Sequence, residues 1–209
     1  MGKFEEMLSK ITMHKDFTAD YAPNPMDKTC TLSLLVEDSS GVLSQVTRLF
    51  ARKGYNIKSA VSGPTNHNNL NRMTIVIEAD RQAAEQVASQ CRKLLPVIEV
   101  KILGDNVIKH ELYLLKLYLE DLEEKESIWS KIHWENASMI DREGDIITLA
   151  VQGSRNKIHA FLKELEPFET LEVVRTGIVA LERGGQTIYD NNKLKEEYNY
   201  GKNVLREGL

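Results

Sequence analysis

The sequence predicts an α+β protein made of two successive units, each in the order strand, helix, strand, strand, helix, strand. Three observations predict it. Short runs alternate apolar and polar residues with period two, other runs repeat apolar residues at three- and four-residue spacing, and the same order of these patterns occurs twice along 209 residues. A chain of that length holds one large domain or two small ones, each able to bury a core. Units of this order form an antiparallel sheet with helices on one face, so two tandem ferredoxin-like (βαββαβ) domains are expected.

In the first unit, a polar entry through Pro23 and Pro25 leads to Cys30, Leu32, Leu34 and Val36, which alternate with Thr31 and Ser33. That predicts a strand with one buried face. Val42, Val46, Leu49 and Phe50 then recur at helical spacing, with Ser39 or Ser40 available as a cap and Gly54 placed to end the helix. Tyr55, Ile57, Ser59 and Val61 return to alternation, SGPTNHNN is a turn-rich loop, and Met73, Ile75 and Ile77 make a third strand. Val87, Cys91 and Leu94 line a second helix, and VIEVKIL from Val97 closes the unit.

The second unit repeats the pattern with little residue identity. HELYLLKLYL from His110 is its first strand, and IWSKIHWENA from Ile128 a helix whose apolar face is Ile128 and Ile132. Met139 to Asp141 and Ile146 to Gln152 are middle strands parted by the REGD turn. Ile158, Phe161, Leu162 and Leu165 mark a second helix, and LEVVRTGIVALE one long final strand. The expected layout is a polar extension over 1–28, a first domain over 29–104, a joint at Gly104 to Asn106, a second domain over 105–183, and a polar tail over 184–209.

Composition narrows the function. A hydrophobic fraction of 42% with 28% charged residues suits a soluble globular protein. A net charge of -4 gives no reason to expect nucleic acid as partner, and the strands lack the interleaved aromatics of an RNA-binding sheet. No run approaches the roughly 18 apolar residues of a membrane span. MGKFEEMLSK carries acids and no apolar run, so no targeting leader is expected and a cytoplasmic location is. Cys30 and Cys91 fall in apolar-periodic segments, as small core residues do.

Catalytic machinery is not visible. His14, His67, His110, His133 and His159 are scattered, with no metal-ligand spacing between them, and no phosphate loop, dinucleotide fingerprint or serine elbow occurs. DLEEKE from Asp121 suits an acidic solvated loop, and Arg48, Arg52 and Lys53 a solvated helix face. No catalytic residue, metal or cofactor is assigned to the chain, which points to binding or regulation.

One stretch suits a small-molecule site. A helix starting near Gly41 presents unpaired backbone N–H groups at its positive dipole end, and a residue without a side chain lets a carboxylate approach them. Asp38, at the end of the preceding strand, is placed to receive an ammonium group. A free amino acid carries both charges. The same residues suit, as routinely occurs, a plain helix start in which Asp38 or Ser39 caps and Gly41 eases the turn.

Residues 36–77, VEDSSGVLSQVTRLFARKGYNIKSAVSGPTNHNNLNRMTIVI, resemble the N-terminal ACT domain of the small regulatory subunit of acetolactate synthase (acetohydroxyacid synthase). The resemblance rests on Gly41, Leu43, Val46, Leu49, Phe50, the GYNI run Gly54 to Ile57, the NRMTI run from Asn71, and RTG at Arg175 to Gly177 followed by VAL. It extends over about residues 29 to 183. It implies a non-catalytic subunit that binds and activates the large catalytic subunit and confers feedback inhibition by a branched-chain amino acid, usually valine. Thiamine diphosphate, magnesium and FAD would sit on that partner.

The resemblance further implies a homodimer in which effectors lie between the ACT domains of two subunits. Asp38, Ser40, Gly41 and Val42 would then form one side of the pocket, and Asn56 and Ile57 the other. The chain departs from the pattern at Asp38, where many members have asparagine, and at Gln45, where arginine is common; Val61 and Gly63 would reshape the pocket wall. Two readings from other classes remain: a free-standing amino-acid sensor or co-regulator, which would lack the usual DNA-binding helices here, and a small enzyme on the same scaffold. Arg175 serves docking to the large subunit or is an edge-strand charge.

Overall fold

The structure, a computed structural model, describes residues 29–119, 128 and 136–190. The expected extension over 1–28, the DLEEKE loop and the tail beyond 190 lie outside the described residues. Two compact units divide the rest: one holds 29–109 with 177–190, the other 110–176.

The first unit runs β1 (Thr29–Glu37), α1 (Val42–Arg52), β2 (Ile57–Pro64), β3 (Leu70–Glu78), α2 (Arg81–Cys91) and β4 (Val97–Leu103). Its sheet is antiparallel in the order β2-β3-β1-β4, as two interleaved βαβ units require. Leu32, Leu34 and Val36 of β1, Met73, Ile75 and Ile77 of β3, and Val46, Phe50, Val87 and Cys91 of the helices form one core. Burying such side chains is worth about 1.5–3 kcal/mol each. Cys91 is a free thiol inside that core, and burial pushes its pKa up to about 11.

Gly54 ends α1 as its position predicts. It adopts φ +74, its N–H donates to Ala51 O (3.1 Å), and the Tyr55 N–H reaches back to Phe50 O (3.0 Å). That pair of bonds is a Schellman closure, which needs a left-handed residue and so favours glycine. It also turns Tyr55 inward against the core that holds Phe50.

The expectation of one buried face on β1 is corrected. Thr31, Ser33 and Leu35 are buried on the face away from the helices as well. Gly177 to Asp190 supply the cover, and they belong to this unit although they follow the second one in sequence. The Ile178 N–H donates to Ser59 Oγ on β2 (3.3 Å), Arg72 Nη2 on β3 donates to Ala180 O (3.1 Å), and Lys101 Nζ on β4 donates to Glu182 Oε2 (2.7 Å). Ile178, Ala180 and Glu182 thus cross the sheet from one edge strand to the other.

The second unit contains β5 (Val107–Tyr118), which begins before it, then β6 (Ala137–Glu143), β7 (Ile146–Gly153), α3 (Arg155–Glu164) and β8 (Glu169–Arg175). Its strand order, β6-β7-β5-β8, repeats that of the first sheet. Gly144, at φ +59, turns β6 into β7 within REGD. Tyr113, Leu115, Leu117, Leu149, Val151, Ile158, Phe161 and Leu162 make the second core. Of the helix expected over 128–137, Ile128 is helical and buried in this core, Ala137 instead opens β6, and the intervening residues up to 135 lie outside the described ones.

The long strand expected at LEVVRTGIVALE is broken in two. β8 stops at Arg175, and β9 (Val179–Glu182) starts after Gly177, which adopts φ +83. A Cβ at Gly177 would lie 2.3 Å from Ser59 Oγ, so both its backbone angle and its close approach call for glycine. The compact units accordingly divide at 109/110 and 176/177 rather than at 104/105 and 183/184. Ile188 and Tyr189, expected in a polar tail, are buried with Leu35 and Leu70.

Candidate functional site

β1 delivers the chain to the mouth of α1. Gly41 is the N-cap residue at φ +85, and among the described residues the first turn has no side-chain cap hydrogen bond. The expected caps, Ser39 or Ser40, are therefore corrected: both are exposed, and Ser39 contributes only its carbonyl, to the Val42 N–H at 3.4 Å. Gly41 is exposed, and a Cβ built on it meets nothing within 4 Å. As first-turn donors, the Leu43 and Ser44 N–H groups have no partner within the helix, and the positive end of its dipole lies there.

Asp38 sits beside this mouth. It does not cap the helix. Its Oδ1 accepts from Asn71 Nδ2 (2.7 Å), and its N–H donates to Asn69 O (2.7 Å), so the start of β3 holds both its carboxylate and its backbone. Asn69 itself is left-handed at φ 64. The sequence marks Asn71 only by its place in NRMTI; its pairing with Asp38 spans 33 residues.

Val42 and Ile57 turn their side chains into the first core, Val42 fully and Ile57 partly. Val42 can offer a ligand only its backbone. Val61 lies under Gly177, 3.3 Å from where a Cβ there would stand, so it packs beneath the C-terminal strap, and Gly63 pairs with Arg72. Gln45 is exposed one helical turn beyond Gly41, its N–H bonded to Gly41 O (2.9 Å).

Asn56 lies at the other end of α1. Eleven helical residues at 1.5 Å each put about 16 Å between it and Gly41. Its Nδ2 donates to Glu78 Oε2 (3.2 Å), and its carbonyl accepts the Glu78 N–H (3.1 Å). Bonds from Lys58 and then Asn56 hold the Glu78 carboxyl below its ordinary range. One chain therefore does not bring Asp38, Ser40 and Gly41 together with Asn56 and Ile57; a common pocket needs a second copy.

Two cavities lie elsewhere in this unit. One of about 500 Å³ is lined by Lys53, Tyr55 and the polar face of α2. Another of about 590 Å³ runs along β4, where Arg92 pairs with Glu99 and Lys101 with Glu182. Among the described residues, no three His, Cys, Asp or Glu side chains are grouped to hold a metal, and no helix is long and apolar enough to cross a membrane. In the second unit, Arg175 sits on the outer strand β8 and bonds the Tyr113 hydroxyl, which also donates to the buried Glu111 (3.2 Å). Arg175 thus stands exposed on an edge strand with a buried partner.

The chain is similar to known proteins. A family model described as AHAS small subunit-like ACT domain matches residues 32–99, and one described as small subunit of acetolactate synthase matches 110–184. The chain is 40% identical over 161 residues to the acetolactate synthase small subunit of Mycobacterium leprae, covering 77% of this chain and 95% of that one. It is 35% identical over 156 residues to the probable acetolactate synthase small subunit of Archaeoglobus fulgidus, covering 75% and 98%. The crystal structure of the acetolactate synthase small subunit from Thermotoga maritima is similar with a TM-score of 0.70 at 31% identity, over 76% of this chain and 99% of that one.

Proposed function

Since the chain belongs to the acetolactate synthase small-subunit family, we propose that it is the non-catalytic regulatory subunit of a cytoplasmic acetolactate synthase. In this role it binds the large catalytic subunit, raises its activity, and transmits inhibition by a branched-chain amino acid, with valine as the effector. The large subunit carries thiamine diphosphate, magnesium and FAD and performs the carbon–carbon bond formation.

The observation that carries this function is the open mouth of α1 at Gly41, with Asp38 held beside it by Asn71. An amino acid's carboxylate suits the Leu43 and Ser44 N–H groups, which gain charge-assisted hydrogen bonds. Its ammonium suits the carboxylate of Asp38. In the proposed assembly two copies pair through β2, an edge strand of its sheet, and the partner subunit completes the pocket with a second Asn56, whose Oδ1 faces the ammonium while Nδ2 holds Glu78.

Regulation follows from linkage. Valine inhibits only to the extent that it binds the inhibited assembly more tightly than the active one, and a factor of 5–150 corresponds to about 1–3 kcal/mol of coupling. Isothermal titration of the purified chain with valine tests the site: saturable binding with one class of sites is expected, and no heat at millimolar valine contradicts it.

A further inference from the structure

The segment that follows β9 returns to the sheet as a hook. Lys101 Nζ donates to Thr187 O (2.6 Å), the Thr187 N–H donates to Asp190 Oδ2 (2.6 Å), and the Thr187 hydroxyl donates to Asp190 Oδ1 (3.1 Å). The Tyr189 N–H in turn donates to Thr187 Oγ1 (3.2 Å). This closed turn plants Ile188 and Tyr189 among Leu35, Leu70 and Ile98, leaving them 1% and 5% exposed. Two side chains so isolated in a polar stretch are buried only because the turn fixes where they point.

The hook ends against the loop between β2 and β3. The Tyr189 ring packs on His67 with ring centroids 5.2 Å apart and planes inclined at 58°. His67 O accepts the Leu70 N–H (3.3 Å), and Thr65 and His67 bond each other through Thr65 Oγ1 (3.1 and 3.2 Å). The same loop ends in Asn69, whose carbonyl holds the Asp38 N–H, and β3 follows with Asn71, whose side-chain amide holds the Asp38 carboxylate. Continuous contact therefore runs from the hook through His67 and Leu70 to Asp38, beside the mouth of α1.

We infer that Tyr189 is a positioning residue for the amino-acid site: the hook braces the 65–69 loop and the start of β3, and these set where Asp38 stands. The claim that this loop frames an effector site rests on the function proposed above; the mechanical link from Tyr189 to Asp38 does not. A tyrosine ring has a large contact area and few torsions, so it transmits position better than a flexible side chain of equal volume. The link also gives the C-terminal segment a route to effector affinity without touching the effector.

Amide hydrogen exchange on the ligand-free full chain, read residue by residue by NMR, tests the link, with valine titration of the same samples as the second arm. Tyr189→Ala is expected to speed exchange of the Asp38 amide at least about tenfold relative to the Leu34 amide in the middle of β1, and to weaken valine binding by a similar factor. His67→Ala removes the loop's side of the contact without opening the hook's core and is expected to act in the same direction. Acceleration at Asp38 in a chain that binds no valine would support the brace and overturn the proposed effector. Exchange at Asp38 that is unchanged, or that rises only in step with Leu34 in both alanine variants, would overturn the brace.

Discussion

The two helices of the first unit start in opposite ways. α2 is closed by its own sequence: Asp80, in extended conformation, accepts the Ala83 N–H at 2.8 Å and satisfies a donor that the helix itself cannot. α1 leaves its first turn without a side-chain cap and places a left-handed glycine there, although serines stand at both preceding positions. A cap contributes about 1 kcal/mol, so an uncapped mouth of an otherwise well-packed helix forgoes stability that a neighbouring helix collects. Under the proposed function, the difference marks α1 as the helix whose mouth receives a ligand and α2 as scaffold.

Substitutions at the two mouths sharpen the contrast. The largest effect is expected at Gly41→Asp, which puts a carboxylate where the effector's own must lie. Losing two hydrogen bonds to a charged group, at about 1.5–3 kcal/mol each, predicts that valine affinity measured by calorimetry falls by roughly 100-fold or more. Unchanged affinity would move the site elsewhere.

A smaller effect belongs to the other helix. Asp80→Ala is expected to lower stability by about 1 kcal/mol in urea denaturation, through loss of the cap, while leaving valine affinity within twofold. Weakened binding there would erase the distinction between scaffold and site.

The smallest effect is electrostatic. Glu78 titrates below its ordinary value of 4.5, because Lys58 and then Asn56 bond its ionised form. A lowered folded-state pKa contributes stability that is present above the ordinary carboxylate range and lost as pH falls through the folded-state value. Asn56→Ala should therefore move the Glu78 pKa upward, part of the way to 4.5, since Lys58 remains 3.1 Å away. NMR titration of the Glu78 carboxyl would show it, and a downward move would mean that Asn56 does not hold Glu78.

Sequence periodicity reveals what depends on nearby residues. Leu32, Leu34 and Val36, or Val46, Leu49 and Phe50, announce their elements because strand and helix geometry repeat within a few positions. Gly41 and Gly54 were legible for the same reason, as local backbone demands at the two ends of one helix. The cap was misread because serine satisfies a helix start chemically, and only the left-handed backbone at Gly41 decides that it does not do so here.

What depends on distant residues was not legible. Ser33 and Thr31 look like the wet face of a strand, yet Arg72 bonds Ser33 Oγ and extends to Ala180 O, 108 residues further along the chain. ERGGQTIYDNN has no apolar period, so nothing in its pattern announces that Ile188 and Tyr189 anchor a hook. In the candidate site, Asp38, Gly41 and Asn56 could be named from sequence and resemblance, whereas the Asn71 bond to Asp38 and the inward turn of Val42 and Ile57 needed the fold.

The central claim is tested most directly by measuring acetolactate formation by the large subunit from the same organism, titrated with this purified chain, with and without valine. Activity that rises to a plateau with added chain and is then reversed by valine is the predicted result. Activity that stays flat, with no complex on size-exclusion chromatography, would contradict it and leave the open mouth at Gly41 to a free-standing amino-acid sensor.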